Sequence, residues 1–400
     1  MSFSSIVTKR WRVALAFALL ALVVLVGCVP LPADPSWASI TVLPETGQIM
    51  LGFHDRVTLL DVTTGQLVPL RNDSGQTRVD GQGNPLRWDI PISNNPPTVF
   101  YSAPVRRDEN TLLFPTFQRR IYEVDVRQAL ILNPGGTLID PSLPATNHVV
   151  TDVLATEDVL YIPLSERNLI AVSRSDYSVL WTFETEYGVW VQPQMIDDVL
   201  YFTALDHNFY AVDAETGREI WQVNLGGAAP GKPVFHEGYF YVGSFANRLY
   251  KISLEGRVVA EVTTTDWVWG SPAIATEDEL LYVGDSSGWL YAVDISGDGM
   301  QLLWQRQVAT RVIRATPVID GNTLIVASRD RFVYWLSRDD GVETFRRELR
   351  GEVYANMVVV EPSETVRIPE PYLLVSSQAR EELLVAYSLA TGEVQWRYNR

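Results

Sequence analysis

The sequence predicts an all-β protein: an eight-bladed β-propeller of four-stranded antiparallel blades, placed after an N-terminal leader. The first observation behind this prediction is a pattern of short apolar runs that recurs about every 40 to 50 residues, the length of a propeller blade. The second is the make-up of each copy, in which four runs rich in Val, Leu, Ile, Tyr and Trp are separated by turn residues. Residues 37–400 divide into eight such copies of about 45 residues each.

The clearest copy of the repeat occupies residues 200–221, where LYF is followed by FYAVD, AETG and IW. Copies with the same order lie at 281–304 and 373–396, and weaker copies fill the remaining chain. The strand expected at 37–43 either completes blade 1 or seals the ring against blade 8. The segment 71–97 is rich in Gly, Asn, Asp and Pro, and we expect it to form an exposed loop between blades 1 and 2.

A motif of Asp, Gly and Trp spans the turn before the last strand of each copy and the strand itself, and each of these residue types has a structural role. In the clearest copy, Asp213 is expected to cap backbone amides, and Gly217 is expected to adopt a positive φ. Trp221 follows four residues after the glycine, so it should lie on the outermost strand with its face packed against the neighbouring blade. The residues predicted to form this blade motif are Asp213, Gly217, Trp221, Gly392, Trp396, Trp304 and Trp181.

These residues carry a family resemblance. The segment 211–221, AVDAETGREIW, resembles the tryptophan-docking motif of pyrroloquinoline-quinone-like (PQQ-like) propeller repeats, and 59–65 and 386–396 are similar copies. The repeats cover nearly all of the chain after the leader. Tyr177 stands in place of the glycine in blade 3, and blade 5 has a shortened motif at 254–256. The resemblance implies a propeller of the quinoprotein alcohol dehydrogenase-like type.

The N-terminus has the layout of an export signal. Basic residues precede an apolar run at 13–26, which is too short for a typical transmembrane helix. The run ends in LVGC, which resembles the bacterial lipobox and implies cleavage before Cys28 and a lipid anchor on its thiol. The alternative is an ordinary signal peptide followed by a chance cysteine. We predict a lipoprotein signal peptide at 1–27, a lipidated cysteine and Pro-rich tether at 28–36, and the propeller at 37–400.

The net negative charge makes some classes of binding partner unfavourable. The formal net charge is -16, so the surface repels nucleic acid and anionic lipid head groups. Cys28 is the only cysteine, which excludes an intramolecular disulfide and a multi-cysteine zinc site. The expected contact with a membrane is therefore the lipid on Cys28. We expect an exported monomer, anchored on the extracytoplasmic face of a bacterial membrane, in the periplasm or at the cell surface.

Common catalytic motifs are absent from the sequence, which contains no G-x-S-x-G, no H-E-x-x-H and no G-x-x-x-x-G-K-[ST]. The resemblance to quinone-dependent dehydrogenases implies two adjacent cysteines and a calcium site, but the chain has one cysteine and no calcium-ligand spacing. Its histidines are scattered, and we expect them at the surface or at strand ends. They are His54, His148, His207 and His236. We predict no enzymatic activity, no cofactor and no metal.

One column of residues recurs three positions before the prolines that begin the innermost strands. Because innermost strands surround the channel of a propeller, these side chains are predicted to form an aromatic ring at one channel mouth. Aromatic faces and Arg suit sugars, quinones or peptide side chains. The alternative is that they plug the channel or pack between blades. The candidate binding residues are Tyr101, Trp190, Trp269, Arg314 and Tyr354.

Three functions from different classes fit these features. The lipobox, the PQQ-like propeller and the absence of catalytic motifs resemble the propeller-lipoprotein family of the outer-membrane β-barrel assembly machinery. That resemblance implies a non-enzymatic scaffold that holds envelope protein partners together through rigid loop faces. The second is a ligand-binding or sensory module that captures a carbohydrate or a small aromatic molecule at the channel mouth. The third is a quinone-dependent dehydrogenase, which would require cofactor-dependent turnover by the purified protein.

Overall fold

The computed structural model describes residues 39–43, 46–53, 56–72, 74–92 and 99–399. The predicted signal peptide, Cys28, the tether and His54 lie outside these residues. Within the described part, eight sheets of antiparallel strands follow one another along the chain, which confirms the predicted eight-bladed propeller. No helix in this part is long and apolar enough to cross a membrane.

Each sheet is one blade, and four of its strands pair in chain order from the channel to the rim. In blade 2 a fifth short strand, β9, also pairs with β7. A 3₁₀ turn, Arg380–Glu382, lies in blade 8. The strands are β1 (Ser39–Leu43), β2 (Gln48–Phe53), β3 (Arg56–Asp61) and β4 (Asp89–Pro91) in blade 1; β5 (Val105–Arg106), β6 (Thr111–Pro115), β7 (Arg120–Asp125), β8 (Leu130–Ile131) and β9 (Thr137–Leu138) in blade 2; β10 (Leu154–Ala155), β11 (Val159–Pro163), β12 (Asn168–Ser173) and β13 (Val179–Glu184) in blade 3; β14 (Gln194–Ile196), β15 (Val199–Thr203), β16 (Asn208–Asp213) and β17 (Glu219–Asn224) in blade 4; β18 (Val234–His236), β19 (Tyr239–Ser244), β20 (Arg248–Ser253) and β21 (Val258–Thr263) in blade 5; β22 (Ala273–Ala275), β23 (Leu280–Gly284), β24 (Trp289–Asp294) and β25 (Gln301–Gln307) in blade 6; β26 (Val318–Asp320), β27 (Thr323–Ala327), β28 (Phe332–Ser337) and β29 (Glu343–Glu348) in blade 7; and β30 (Val358–Val360), β31 (Tyr372–Ser376), β32 (Leu384–Ser388) and β33 (Val394–Tyr398) in blade 8.

The two middle strands of a blade are buried on both faces because a neighbouring sheet covers each side. In blade 4, β15 and β16 are almost continuous runs of buried Val, Leu, Tyr, Phe and Ala, a pattern typical of strands without a solvent face. The rim strand β17 instead alternates between exposed and half-buried residues, and Trp221 is one of the half-buried ones. The change in periodicity therefore shows which strand of each repeat lies at the rim.

The core of the described residues consists of eight hydrophobic clusters, and each cluster joins two neighbouring blades. The cluster between blades 4 and 5 includes Phe209 of β16 and Val242 of β19, for example. Because a blade buries its apolar faces only against its neighbours, a single blade is not expected to be stable alone. The contacts between blades therefore decide the stability of the ring.

The aromatic residue of the blade motif joins one blade to the next. Trp181 of β13 lies against Gly217 of blade 4, where an added Cβ would stand 2.6 Å from the indole, and its Nε1 donates a hydrogen bond to Ala214 O at 3.1 Å. Asp213 accepts the backbone N–H of Thr216 at 2.8 Å and fixes the turn, in which Gly217 has a φ of 69°. Equivalent contacts join Trp221 to Gly256, Trp304 to Gly341, Phe345 to Gly392, and Trp396 to Gly65.

The first and last blades close the ring through side chains. β1 pairs with β2, so Ser39–Leu43 completes blade 1. Trp396 of β33 lies against Gly65 of blade 1 and donates from Nε1 to Val62 O at 2.7 Å. Both blades also contribute residues to one buried cluster. Closure among the described residues thus rests on apolar packing and an indole hydrogen bond.

The prediction that 71–97 is a loop between blades 1 and 2 is wrong, although residues 74–85 are exposed as predicted. This segment contains β4, the rim strand of blade 1, and the residues before β4 form a mostly exposed extension with short bridges such as Pro69 to Arg87. Trp88, next to β4, is buried and donates from Nε1 to Val126 O of blade 2 at 2.8 Å. It is the docking tryptophan of blade 1, and the extension moves it away from its expected position after the turn glycine.

Candidate functional site at the channel mouth

Residues from all eight blades meet around one cavity of about 380 Å³. Ile40 of β1 and Val358 of β30 bring the innermost strands of blades 1 and 8 to its wall. Blades 2 to 7 contribute the residues that immediately precede their innermost strands. The repeat therefore places equivalent residues around one opening, which we name the channel mouth.

The predicted ring residues lie together at this mouth. The cavity is lined by Tyr101, Trp190, Trp269, Arg314 and Tyr354, among others. Because a cavity of this volume remains between them, these side chains line the opening and do not fill it. Trp190 is 37% exposed, so part of its ring is open to solvent. Binding of a ligand or a partner by these residues stays a prediction.

A half-buried guanidinium lies among the aromatic rings. The guanidinium carbon of Arg314 is 5.2 Å from the ring centroid of Trp269 and 6.0 Å from that of Tyr354, distances at which a cation is attracted to a ring face. Burial lowers the pKa of Arg314 to about 10, and the positive charge of Arg329 acts in the same direction. Arg314 therefore keeps its charge at neutral pH, and a cation beside aromatic faces suits an anionic or aromatic group.

Next to Arg314, the carboxylate of Glu352 accepts hydrogen bonds from three side chains. Tyr354 Oη donates to Glu352 at 2.6 Å, and Arg329 Nε donates to the same carboxylate at 2.9 Å. Arg311 donates to it as well. Burial raises the pKa of Glu352, but the hydrogen bonds from these three donors outweigh burial and lower that pKa overall. This network fixes the position of Tyr354 in the wall of the mouth.

Polar side chains of neighbouring blades also meet in the wall of the mouth. Lys232 Nζ donates to Gln192 Oε1 at 2.8 Å, and Asp152 accepts the backbone N–H of Ala103 at 2.6 Å. Burial raises the pKa of Asp152 and lowers that of Lys232, and the charge of each partly offsets the shift of the other. These bonds join neighbouring blades. These polar residues are not among the predicted site residues, although Gln192 lies two positions after Trp190 and the repeat spacing could have identified such positions.

Further aromatic side chains extend outward from the mouth. Phe245, in the turn after β19, stacks on Trp267 with ring centroids 4.8 Å apart and planes 14° apart, and it also contacts Trp269. Trp267 is 49% exposed and Tyr187 is 60% exposed. We name Phe245, Trp267, Tyr187 and Trp190 the mouth aromatic surface; Tyr187 and Trp190 both lie in the segment between β13 and β14 that leads to the mouth. Exposed aromatic side chains beside a cavity are typical of sites that contact a protein or a ligand.

The described histidines lie apart from one another. His148 stacks on Phe117 with centroids 3.8 Å apart, and its Nδ1 lies 3.2 Å from Phe117 O. Burial lowers the pKa of His148. His207 is exposed in the turn between β15 and β16, and His236 is the last residue of β18. None of these three lines the channel mouth.

Comparison with known proteins assigns the propeller to a family. The family model described as Outer membrane protein assembly factor BamB matches residues 140–296 and 286–400, which together are more than half of the chain. The chain belongs to this family. The PQQ-like character predicted from the segment 211–221 is therefore confirmed.

Two curated proteins are similar to parts of the chain. Outer membrane protein assembly factor BamB of Salmonella typhimurium is 25% identical over 160 residues, which are 36% of this chain and 36% of that protein. Quinoprotein alcohol dehydrogenase PedH of Pseudomonas putida is 29% identical over 149 residues, which are 36% of this chain and 24% of that protein. The chain thus matches at most 36% of the length of either curated relative.

Solved structures share the fold over nearly the whole propeller. BamB from Moraxella catarrhalis aligns with a TM-score of 0.63 at 15% identity, covering 90% of this chain and 96% of that structure. The computationally designed protein Ika8 aligns with a TM-score of 0.62 at 12% identity, covering 89% of this chain and 98% of that structure. At these identities the likeness is one of fold.

Proposed function

We propose that this chain is a non-enzymatic scaffold of the bacterial cell envelope that holds protein partners during outer-membrane protein assembly. The observation that carries the proposal is the match of the BamB family model across residues 140–400. The structure supports it with a closed ring of eight blades around an aromatic mouth. A propeller suits this role because its loops are held in place by a rigid scaffold of strands.

The leader supports a position outside the cytoplasm. We infer that 1–27 is removed as a lipoprotein signal peptide, that Cys28 carries the lipid, and that 28–36 tethers the propeller to the membrane. The similar Salmonella protein is named for outer-membrane protein assembly, and that process takes place beyond the inner membrane. An anchored propeller would therefore be held close to the proteins it assembles.

We assign the partner contact to the mouth aromatic surface. Tyr187 and Trp267 expose 60% and 49% of their surface, and Trp and Tyr dominate the binding energy of many protein interfaces. The stack of Phe245 on Trp267 holds both rings in position. Binding to rings that are already ordered loses less side-chain entropy than binding to mobile ones. This surface is therefore suited to a protein partner with an apolar face.

A ligand-binding or sensory function is the second candidate, and the cavity itself favours it. Its volume of about 380 Å³ lies within the range of small-molecule sites, about 300 to 1,000 Å³. Arg314 beside Trp269 and Tyr354 would suit a carbohydrate or a small aromatic molecule. The similarity to PedH supports a quinone-dependent dehydrogenase only weakly, because it covers 24% of that enzyme.

Affinity capture from cross-linked native membranes tests the scaffold. Tagged full-length protein is compared with Cys28→Ala, which lacks the anchor, and with the double variant Tyr187→Ala/Trp267→Ala. The matched control is Leu180→Ala/Ile220→Ala, which removes two side chains of comparable exposure, 54% and 51%, from the rim strands β13 and β17. Quantitative mass spectrometry measures the recovered proteins.

The scaffold predicts recovery of an outer-membrane β-barrel assembly protein by the unmodified chain and by the rim control. Recovery should be weakened without the anchor and lost in the mouth double variant. Equal recovery by the two double variants would contradict the assignment of the contact to the mouth. If no assembly protein is recovered at all, the scaffold is wrong, and binding to a panel of glycans and quinones becomes the test of the second candidate.

A further inference from the structure

Two neighbouring hairpins bring a histidine and two glutamates together, at the opposite ends of the innermost strands from the channel mouth. His236 ends β18, and Glu237 follows it in the turn to β19 of blade 5. Glu279 precedes β23 in blade 6. One ligand atom from each of the three residues lies within 4.8 Å of the other two. The two blades thus present three metal-ligating side chains to one point.

One ring nitrogen of the histidine in this cluster lacks a partner. Nε2 of His236 is buried and makes no hydrogen bond among the described residues. A buried polar atom without a partner is costly and uncommon in native structures. A metal ion would satisfy it, because the lone pair of an imidazole nitrogen is a common metal ligand. This observation is independent of the proximity of the two carboxylates.

The cluster borders a cavity of about 350 Å³ with a net negative charge. Its wall contains three carboxylates, Glu237, Glu279 and Asp298, and one ammonium, Lys251. Lys251 Nζ donates to Gly297 O at 2.6 Å and lies 4.4 Å from the ring centroid of Tyr239. The four charged groups together leave two negative charges, which a divalent cation would neutralise.

The contact between blades 5 and 6 also differs from those that carry a docking tryptophan. In blade 4, Trp221 pairs with Ala211 and reaches the next blade. At the same place in blade 5 the small side chain of Ala260 pairs with Lys251, and Lys251 Nζ lies 3.5 Å from Ile295 O of blade 6. This interface therefore lacks the indole that joins blade 4 to blade 5.

We propose that His236, Glu237 and Glu279 bind one divalent transition-metal ion of the zinc type and thereby link blades 5 and 6. One imidazole and two carboxylates suit zinc, and water would fill the remaining position. Two ligands of a tetrahedral zinc lie about 3.4 Å apart, since each bond is about 2.0 to 2.2 Å long. Glu237 is exposed, so rotation of its side chain would close the ligand set.

This site goes beyond the proposed scaffold function and departs from the expectation that the chain binds no metal. The sequence offers no spacing that predicts it, because the ligands come from two blades. From the sequence we expect His236 at the surface or at a strand end, and it is the last residue of β18. Only the packing of one hairpin against the next brings Glu279 to the histidine.

Zinc titration by isothermal calorimetry tests the site. The full-length protein, purified in detergent with a histidine-free tag and treated with a chelator, is compared with His236→Gln and Glu279→Gln. His207→Asn is the matched control, because it removes an exposed histidine far from the cluster, at a turn position that asparagine tolerates. Glu237→Gln is a further variant, and because its side chain is exposed it should fold. It therefore provides a test of the site even if His236→Gln does not fold.

The proposal predicts one bound ion per chain, with affinity at least about 100-fold weaker in His236→Gln, Glu279→Gln and Glu237→Gln, because even outer-shell changes weaken metal sites by 10- to 100-fold. His207→Asn should bind as the unmodified chain does. Zinc should also raise the melting temperature of the unmodified chain and of His207→Asn, but not that of the three ligand variants. Absence of saturable binding, or unchanged binding by folded His236→Gln or Glu237→Gln, would overturn the site.

Discussion

Replacing Trp396 with alanine should open the contact that closes the ring. Trp396 is 8% exposed, lies against Gly65 and donates to Val62 O at 2.7 Å. Truncation of a buried Trp to alanine costs about 3 to 5 kcal/mol, and here the lost indole also leaves a carbonyl without its donor. We expect the free energy of unfolding to fall by about 4 kcal/mol.

Urea unfolding followed by far-UV circular dichroism measures this change. Circular dichroism is preferred to fluorescence because the variant removes one of the 12 Trp of the sequence and would itself change the fluorescence signal. Trp267→Ala is the control, since that indole is 49% exposed and its loss should cost only about 1 kcal/mol, chiefly from its stack on Phe245. A loss below about 1 kcal/mol for Trp396→Ala, or equal losses in both variants, would refute closure through this indole.

Two further changes test the turn motif and the response to pH. Gly217→Ala places a Cβ 2.6 Å from Trp181 at a φ of 69°, and we expect it to lower the free energy of unfolding by about 3 kcal/mol. The control is Gly83→Ala, where the φ is 87° but no atom lies near the added Cβ, so the expected loss is about 1 kcal/mol. Equal urea midpoints for the two variants would contradict this prediction. Because burial lowers the pKa of His148 below 6.5, the folded chain binds fewer protons than the unfolded chain, so stability should fall as the pH drops below about 6.5. His148→Phe, which keeps an aromatic ring against Phe117, should flatten this decline in melting temperature, and an unchanged slope would contradict the assignment.

The blades could be predicted from the sequence because strand period and turn chemistry are local properties. Asp213, Gly217 and Trp221 lie within nine residues of one another, so one copy of the repeat contains the whole motif. The channel mouth could be predicted for a related reason, since a repeat places equivalent residues at equivalent positions around the axis. Trp190 and Trp269 line the same cavity although they lie 79 positions apart in the sequence.

The remaining features depend on contacts between copies, which no local pattern contains. Because of the extension before β4, Trp88 does not follow the turn glycine at the spacing of the motif, although its indole still docks on blade 2. Tyr177 adopts a φ of 62° without being glycine, and its hydroxyl donates to Glu123 across the blade interface at 2.8 Å, a bond that can offset the cost of that backbone conformation. The cluster of His236 and Glu279 likewise exists only once two hairpins are packed together.

We propose that the mouth aromatic surface contacts a protein of outer-membrane assembly. Site-specific photo-crosslinking in living cells tests it most directly, with a photoreactive residue placed at Tyr187 or Trp267 in the full-length chain, and at Leu180 or Ile220 on the rim as matched positions. We predict a covalent adduct with an outer-membrane β-barrel assembly protein from the two mouth positions and none from the rim. Adducts with that protein from the rim alone, or no adduct with it from any position, would contradict the account.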